Sequence, residues 1–145
     1  MSIDMSPFQL IHNSIAEFKY VKASPLPVQK KDIVDHFSFS KEIRFDPDKE
    51  CLVGIIMIQY EASVENAPSD NPPFSLEVCN ISAFSFAGQD TDENREHFSS
   101  LLKLNGAFNA LSTLRSHVAA ATTALGLAPG YQIPFINLNS VEWSD

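Results

Sequence analysis

The chain has 145 residues, 44% hydrophobic and 19% charged, which suits one domain with a modest core and is too apolar for a disordered polymer. Its net charge of −8 excludes the basic stripe that a nucleic-acid backbone demands, and Lys30-Lys31 is its one adjacent basic pair. No basic region followed by an apolar core opens the chain, and the best spanning candidate, residues 107–127, carries Arg115 and His117 mid-span, so a cytoplasmic domain over 1–145 without membrane insertion is expected.

In chain order, strands come first. "FQLIHNSIAEFKYVK" (8–22) is rich in aromatic and β-branched residues and closes at "SPLP", where two prolines forbid a regular ladder. "HFSFSKEIRFD" (36–46) places Phe37, Phe39, Lys41, Ile43 and Phe45 on one parity, the period of a strand with one polar interruption. "CLVGIIMIQYEASV" (51–64) is apolar on both parities as far as Met57, which predicts burial on both faces of its first half. "FSLEVCNISAFSFAG" (74–88) is the fourth strand. Short polar turns between these runs predict an α+β fold: a four-stranded antiparallel meander packed with a C-terminal helical layer.

After Gly88 the pattern becomes helical. Residues 92–104 begin acidic, with Asp90, Asp92, Glu93 and Glu96 complementing a helix N-terminus, and carry Phe98, Leu101 and Leu102. Asn105-Gly106 is expected to interrupt. A second helix over 107–126 then shows an apolar seam, Leu111, Leu114, Val118, Ala121 and Leu125, with Gly126 as its C-terminal cap. Ser112, Ser116, Ala120 and Ala124 fall at strict fours and form a ridge of small residues, which admits a second helix closely. From Leu104 to Val141 the one formal charge is Arg115, so this helix is expected to lie buried between subunits or under its own chain. An extended tail, 127–145, ends the domain.

Catalysis finds little support. Cys51 and Cys79 lack the spacing of a disulfide or metal framework and read as small buried hydrophobes. The histidines His12, His36, His97 and His117 are scattered, and no phosphate loop, dinucleotide fingerprint or nucleophile elbow is present. No enzyme activity, metal or cofactor is expected. The residues favour a binding protein with abundant apolar surface.

Several stretches resemble SecB, the cytosolic chaperone family of bacterial protein export. "FSLEVCNISAFSFAG" is similar to that family's L-x-E-V strand ending F-S-I-A-G, and "FQLIHNSIAEFKYVKASPLP" to its first strand and proline-bearing crossover. "LKLNGAFNALSTLRSHVAAATTALGLAPGYQIPFINLNSV" resembles the helix with its L-P-Y-x-R pattern and the L-A-P-V-N-F-like segment after it, with Arg115, Pro134 and Asn137 in matching places. The resemblance spans about residues 8–142. It implies a homotetramer, a dimer of dimers, acting as a holdase in protein export without ATP. Unfolded clients would lie in hydrophobic grooves, for which Tyr20, Leu26, Phe37, Phe39, Ile43 and Phe45 are the candidate residues. The ridge Ser112, Ser116, Ala120 and Ala124 would lie at the oligomer interface.

Three departures qualify the pathway. The sequence stops at Asp145 where export members continue into a second helix, so that helix is expected to be missing. Glu17 and Glu77 match acids that the family offers to the SecA motor, but Val21 replaces another, so weak or absent SecA docking is expected. The segment from Arg115 to Phe135 also resembles SecB-like proteins that guard toxin–antitoxin systems. Outside the family, a scaffold subunit or a pocket for a small apolar ligand remains the alternative class.

Overall fold

A computed structural model describes residues 2–22, 29–67, 70, 72–127 and 129–145. Four long strands, β1 (Phe8–Lys22), β2 (Ile33–Asp46), β3 (Cys51–Val64) and β4 (Phe74–Ala87), precede α1 (Asp92–Leu101) and α2 (Ala107–Ala124). A two-residue strand, β5 (Trp143–Ser144), closes the chain. The four expected strands are all present, with β2 beginning at Ile33, next to a single helical turn at Lys30–Asp32, rather than near residue 36.

The sheet order is β1-β4-β3-β2-β5. β2, β3 and β4 follow one another as the expected antiparallel meander, while β1 lies beside β4 instead of β2. That is a Greek-key arrangement, with one strand returning to the far edge. The aromatic and β-branched content of β1 predicts a strand but carries no information about which edge it joins. Register shifts between Leu10 and His12 and between Ile15 and Glu17 bend β1, as bulges do on edge strands.

Alternation decides the covered face. Leu52, Ile56, Ile58, Tyr60 and Ala62 of β3 are buried, as are Leu76, Val78, Phe84 and Phe86 of β4. The opposite parity of β3, Val53, Ile55 and Met57, is only half-buried. The expectation of burial on both faces is thus corrected: helix and tail cover one face, and among the described residues no second layer covers the other. Apolar side chains on both parities report here an open face that is itself apolar. One polar cluster enters the covered face, where Asn80 donates to Ser82 at 3.0 Å and Ser82 to Asn13 on β1.

The helical layer also differs from expectation. Thr91 caps α1 by accepting from the Asn94 amide at 3.1 Å, and Asp92 and Glu93 fill the first turn. Asn105-Gly106 does not interrupt; Leu102–Gly106 form one wide π turn that carries α1 directly into α2. Gly106 is helical, with φ −64° and ψ −49°, so its role is space rather than a turn. A Cβ there would stand 2.8 Å from Ile56 Cδ1. Gly54 on β3 mirrors it, since a Cβ would stand 2.5 Å from Leu102 Cδ1 and 2.8 Å from Phe98 Cζ. The two glycines let helix and sheet close on each other.

The seam holds at Leu111, Leu114 and Val118, joined by Ala107, Ala110 and Thr122. Leu125 departs from it, 61% exposed beyond the last helical residue. Gly126, at φ +99°, caps the helix as expected.

Replacing Gly54 with Ala should therefore overpack this contact. We expect a loss of about 1–3 kcal/mol, read as a lower urea midpoint with unchanged slope. An unchanged midpoint would mean that the layers are further apart than described.

Candidate functional site

The strongest candidate site is the covered face of β2 and the segment laid over it. β2 aligns Phe37, Phe39, Lys41, Ile43 and Phe45 on one parity, the one that also carries Leu52, Gly54, Ile56, Ile58 and Tyr60 of β3 in register. α2 packs on β1, β3 and β4. Much of the covered face of β2 is left to the residues that follow the helix.

That tail is pinned at three levels. Gly130 lies so close to the Ala119 carbonyl that a Cβ would overlap it. The Tyr131 amide donates to the buried Thr122 hydroxyl at 2.8 Å, and the Tyr131 ring stacks on Phe74, centroids 5.4 Å apart. The Tyr60 hydroxyl donates to Asp35 on β2, and the Tyr131 hydroxyl, 2.8 Å from the Tyr60 oxygen and 3.3 Å from Asp35, shares its single proton between the two. Arg115 forms the middle pin. Its Nε donates to the Ile133 carbonyl at 3.2 Å, its Nη2 to the Pro134 carbonyl at 2.6 Å, and its guanidinium lies 4.3 Å from the centre of the Phe135 ring. Desolvation lowers the guanidinium pKa, a cost that these bonds offset.

The last pin is β5. Trp143 pairs in parallel with Phe39, and Ser144 with Ser40. The indole sits edge-on to Phe39 at 5.3 Å, and the Lys41 ammonium meets the Asp145 carboxylate at 2.6 Å. Beside β5 a cleft of about 330 Å³ remains, lined by Ser100, Lys103, Leu104, Leu138, Val141 and Trp143 among others. An aromatic side chain of this size buries roughly 150–250 Å² when fully covered, worth about 25 cal/mol per Å². The half-buried Trp143 therefore contributes a few kcal/mol at most, and the neighbouring Lys41–Asp145 pair, with its carboxylate exposed, adds little.

The sequence-derived residues divide as follows. Phe37, Phe39, Ile43 and Phe45 come together on β2. Phe39 is 3% exposed under Trp143, Phe37 is half-buried against Tyr60, Ile43 is half-buried, and Phe45 is 36% exposed at the end of the row. Tyr20 sits on β1 at the opposite edge, edge-on to Phe74 at 6.0 Å, and so does not join that row. Leu26 lies outside the described residues. Trp143, Lys41, Asp145, Val141 and Tyr131 complete the site and were not among the sequence candidates. The chain's single tryptophan within an alternating Val-x-Trp-x-Asp run was the available signal.

The ridge faces away from the sheet. Ser112 is half-buried, and Ser116, Ala120 and Ala124 are exposed. The Ser112, Thr113, Ser116 and Thr123 hydroxyls each donate to the carbonyl four residues earlier, so these side chains satisfy themselves without water or charge. Glu17 and Glu77 lie together on the open face, both ion-paired to Lys19 (2.9 and 3.7 Å), with Glu61 beside Glu77 in register. Glu17 first and Glu77 second raise the Lys19 pKa. Val21 is exposed on the same strand. His36 is exposed opposite Glu61, and His117 is exposed on α2. Among the described residues no group of three acidic, Cys or His side chains could hold a metal, and no helix is long and apolar enough to cross a membrane.

No protein-family model matches this chain, and no curated protein does. Among solved structures, the fold is similar to the Mycobacterium tuberculosis SecB-like chaperone Rv1957, solved in complex with a ChAD peptide from the Rv1956 HigA1 antitoxin. The TM-score is 0.58 at 14% identity, covering 90% of this chain and 91% of that one. A protein of unknown function from Streptococcus agalactiae is similar at a TM-score of 0.45 and 12% identity, over 88% and 97% of the two chains. The first likeness covers nearly all of both chains, so this chain has the fold of a SecB-like chaperone.

The tyrosine pair supplies a test of how the tail is held. Burial, with Asp35 alongside, raises the Tyr60 hydroxyl far above the usual phenol range. Burial, partly opposed by the bond to Tyr60, pushes Tyr131 up to about 12. Because the folded values are raised, the stability they carry is whole below the ordinary value near 10 and is lost as pH climbs through about 12. Ultraviolet titration should show delayed phenolate formation, and Tyr131→Phe should flatten the fall in stability across that window. Ionisation of every tyrosine near pH 10 would contradict the buried hydrogen-bonded pair.

Proposed function

We propose that this protein is an ATP-independent holdase that keeps unfolded polypeptides extended along the covered face of β2. The observation that carries this reading is that the apolar row Phe37, Phe39, Ile43 and Phe45 is capped in part by an extended segment instead of by the helix. A surface that already accepts extended chain, with an edge strand beside it, suits an unfolded client. Affinity would come from apolar area removed from water, which is non-directional and needs no nucleotide. The SecB-like chaperone of the same fold was solved with a bound antitoxin peptide, which supports polypeptide binding by this architecture.

The client is better read as dedicated than as an export precursor. The acids Glu17 and Glu77 are both ion-paired to Lys19, and Val21 interrupts the patch, so part of its negative charge is already engaged. Complementary charge mainly supplies on-rate and specificity. The exposed, self-satisfied ridge on α2 supports an oligomer, with helices packed ridge to ridge in a dimer of dimers in the cytoplasm.

Three outcomes follow from this reading. The protein should suppress aggregation of several unrelated unfolded proteins without ATP, and a scaffold or small-ligand protein would suppress none. Titration with SecA should show weak or no binding, whereas tight, salt-sensitive binding would restore the export reading. Ala120→Leu should add bulk where close approach is needed, costing about 1–3 kcal/mol at each contact. Sedimentation should then show a smaller assembly with an unchanged far-UV spectrum; a monomeric wild type, or an unaltered tetramer in the variant, would remove the ridge from the interface.

A further inference from the structure

The residues that cap β2 have the pattern of a ligand. Val141, Trp143 and Asp145 alternate at the two-residue period of an extended chain. Val141 and Trp143 pack against the core, and the Asp145 carboxylate pairs with Lys41. Lys41 is the unexpected partner. It occupies the inward parity between Phe39 and Ile43, its side chain is 12% exposed, and the carboxylate it meets is carried by a side chain 81% exposed. A cation set into an apolar row requires a counter-charge, and here that partner comes from the tail and not from the sheet.

β5 is also slight. Two residues of it pair with a β2 strand of fourteen, at Phe39 and Ser40. The strong pins, Tyr131 to Tyr60 and Arg115 to Ile133 and Pro134, all lie upstream. Between them and β5 lies the short turn Leu138–Ser140, capped by Asn137. Releasing residues 138–145 would leave the Tyr131 and Arg115 pins in place and uncover the apolar surface beneath Leu138, Val141 and Trp143.

We infer that residues 138–145 form a displaceable strap that occupies the client site, and that their sequence states what the site takes: an extended peptide of aliphatic-x-aromatic-x-acidic pattern, running parallel to β2. The aliphatic residue replaces Val141, the aromatic ring replaces Trp143 against Phe39, and the carboxylate replaces Asp145 on Lys41. The inference rests on the holdase reading and deepens it by naming the client's chemistry and its gate. Being tethered, the strap competes at high effective concentration. A client must therefore match its contacts and extend further along the free part of β2.

The test uses a dye-labelled peptide with the sequence of residues 138–145 and the full-length protein. Fluorescence anisotropy should show the peptide binding Trp143→Ala about tenfold more tightly than wild type, because an occupied site lowers apparent affinity by the fraction left open. Changing the peptide's own Trp to Ala, or its final Asp to Lys, should weaken binding. Ser40→Cys with Ser144→Cys joins a pair already in register, and its oxidised form should bind neither peptide nor client until reductant releases it. Should Trp143→Ala fail to fold, the oxidised and reduced forms of this pair decide alone. Equal peptide affinity in the wild-type, Trp143→Ala and locked proteins would overturn the strap. Aggregation suppression that is undiminished by locking would do the same while leaving the holdase reading intact. Gated peptide binding without suppression of aggregation would keep the strap and sink the holdase.

Discussion

The close approach of helix to sheet at Gly54 and Gly106 governs the rest of the molecule. With no Cβ at either position, Leu102 and Phe98 settle onto β3, and Ile56 onto the π turn. Interiors pack at crystal-like density, so a contact this tight positions the whole helical layer. It places α2 over β1, β3 and β4, and thereby leaves the aromatic row of β2 to be covered by something other than a helix. The open trough, the tail that lies in it and the proposed client site all derive from that placement.

Arg115 resolves the oddity of a long helix with a single charge. Its guanidinium is turned to the tail, where two backbone carbonyls and the Phe135 ring receive it. The carbonyls of an extended segment have no ladder partner of their own, and buried backbone oxygens require donors. One fork-shaped cation supplies two in the right geometry. The Ser112, Ser116 and Thr123 hydroxyls bond to their own backbone, so these side chains leave the outer face with few groups that demand a partner.

Much of the fold was legible in the sequence because burial on one face imposes period two. The strand limits at Phe8, Cys51 and Phe74 coincide with the apolar and β-branched runs bounded by polar or proline-bearing turns. The position of β1 was not, since pairing between strands distant in sequence leaves no local mark. Gly106 misled for a related reason: a glycine needed for close approach looks the same as one needed for a turn. In the site, the row Phe37, Phe39, Ile43 and Phe45 was readable, but whether those rings face core or client depended on what covers them. Trp143 supplies that cover, from a strand too short for periodicity to reveal. Tyr20 shares their chemistry yet sits across the sheet, a consequence of the unread strand order.

The central claim is that an extended client takes the place of the chain's own end on β2. Amide hydrogen exchange across the whole protein, with and without a bound unfolded polypeptide, tests it most directly. The account predicts that client binding exposes residues 138–145 to exchange while Phe39 to Ile43 remain protected and β1 is unchanged. Continued protection of 138–145 with client bound, or new protection confined to β1 or the open face, would contradict it.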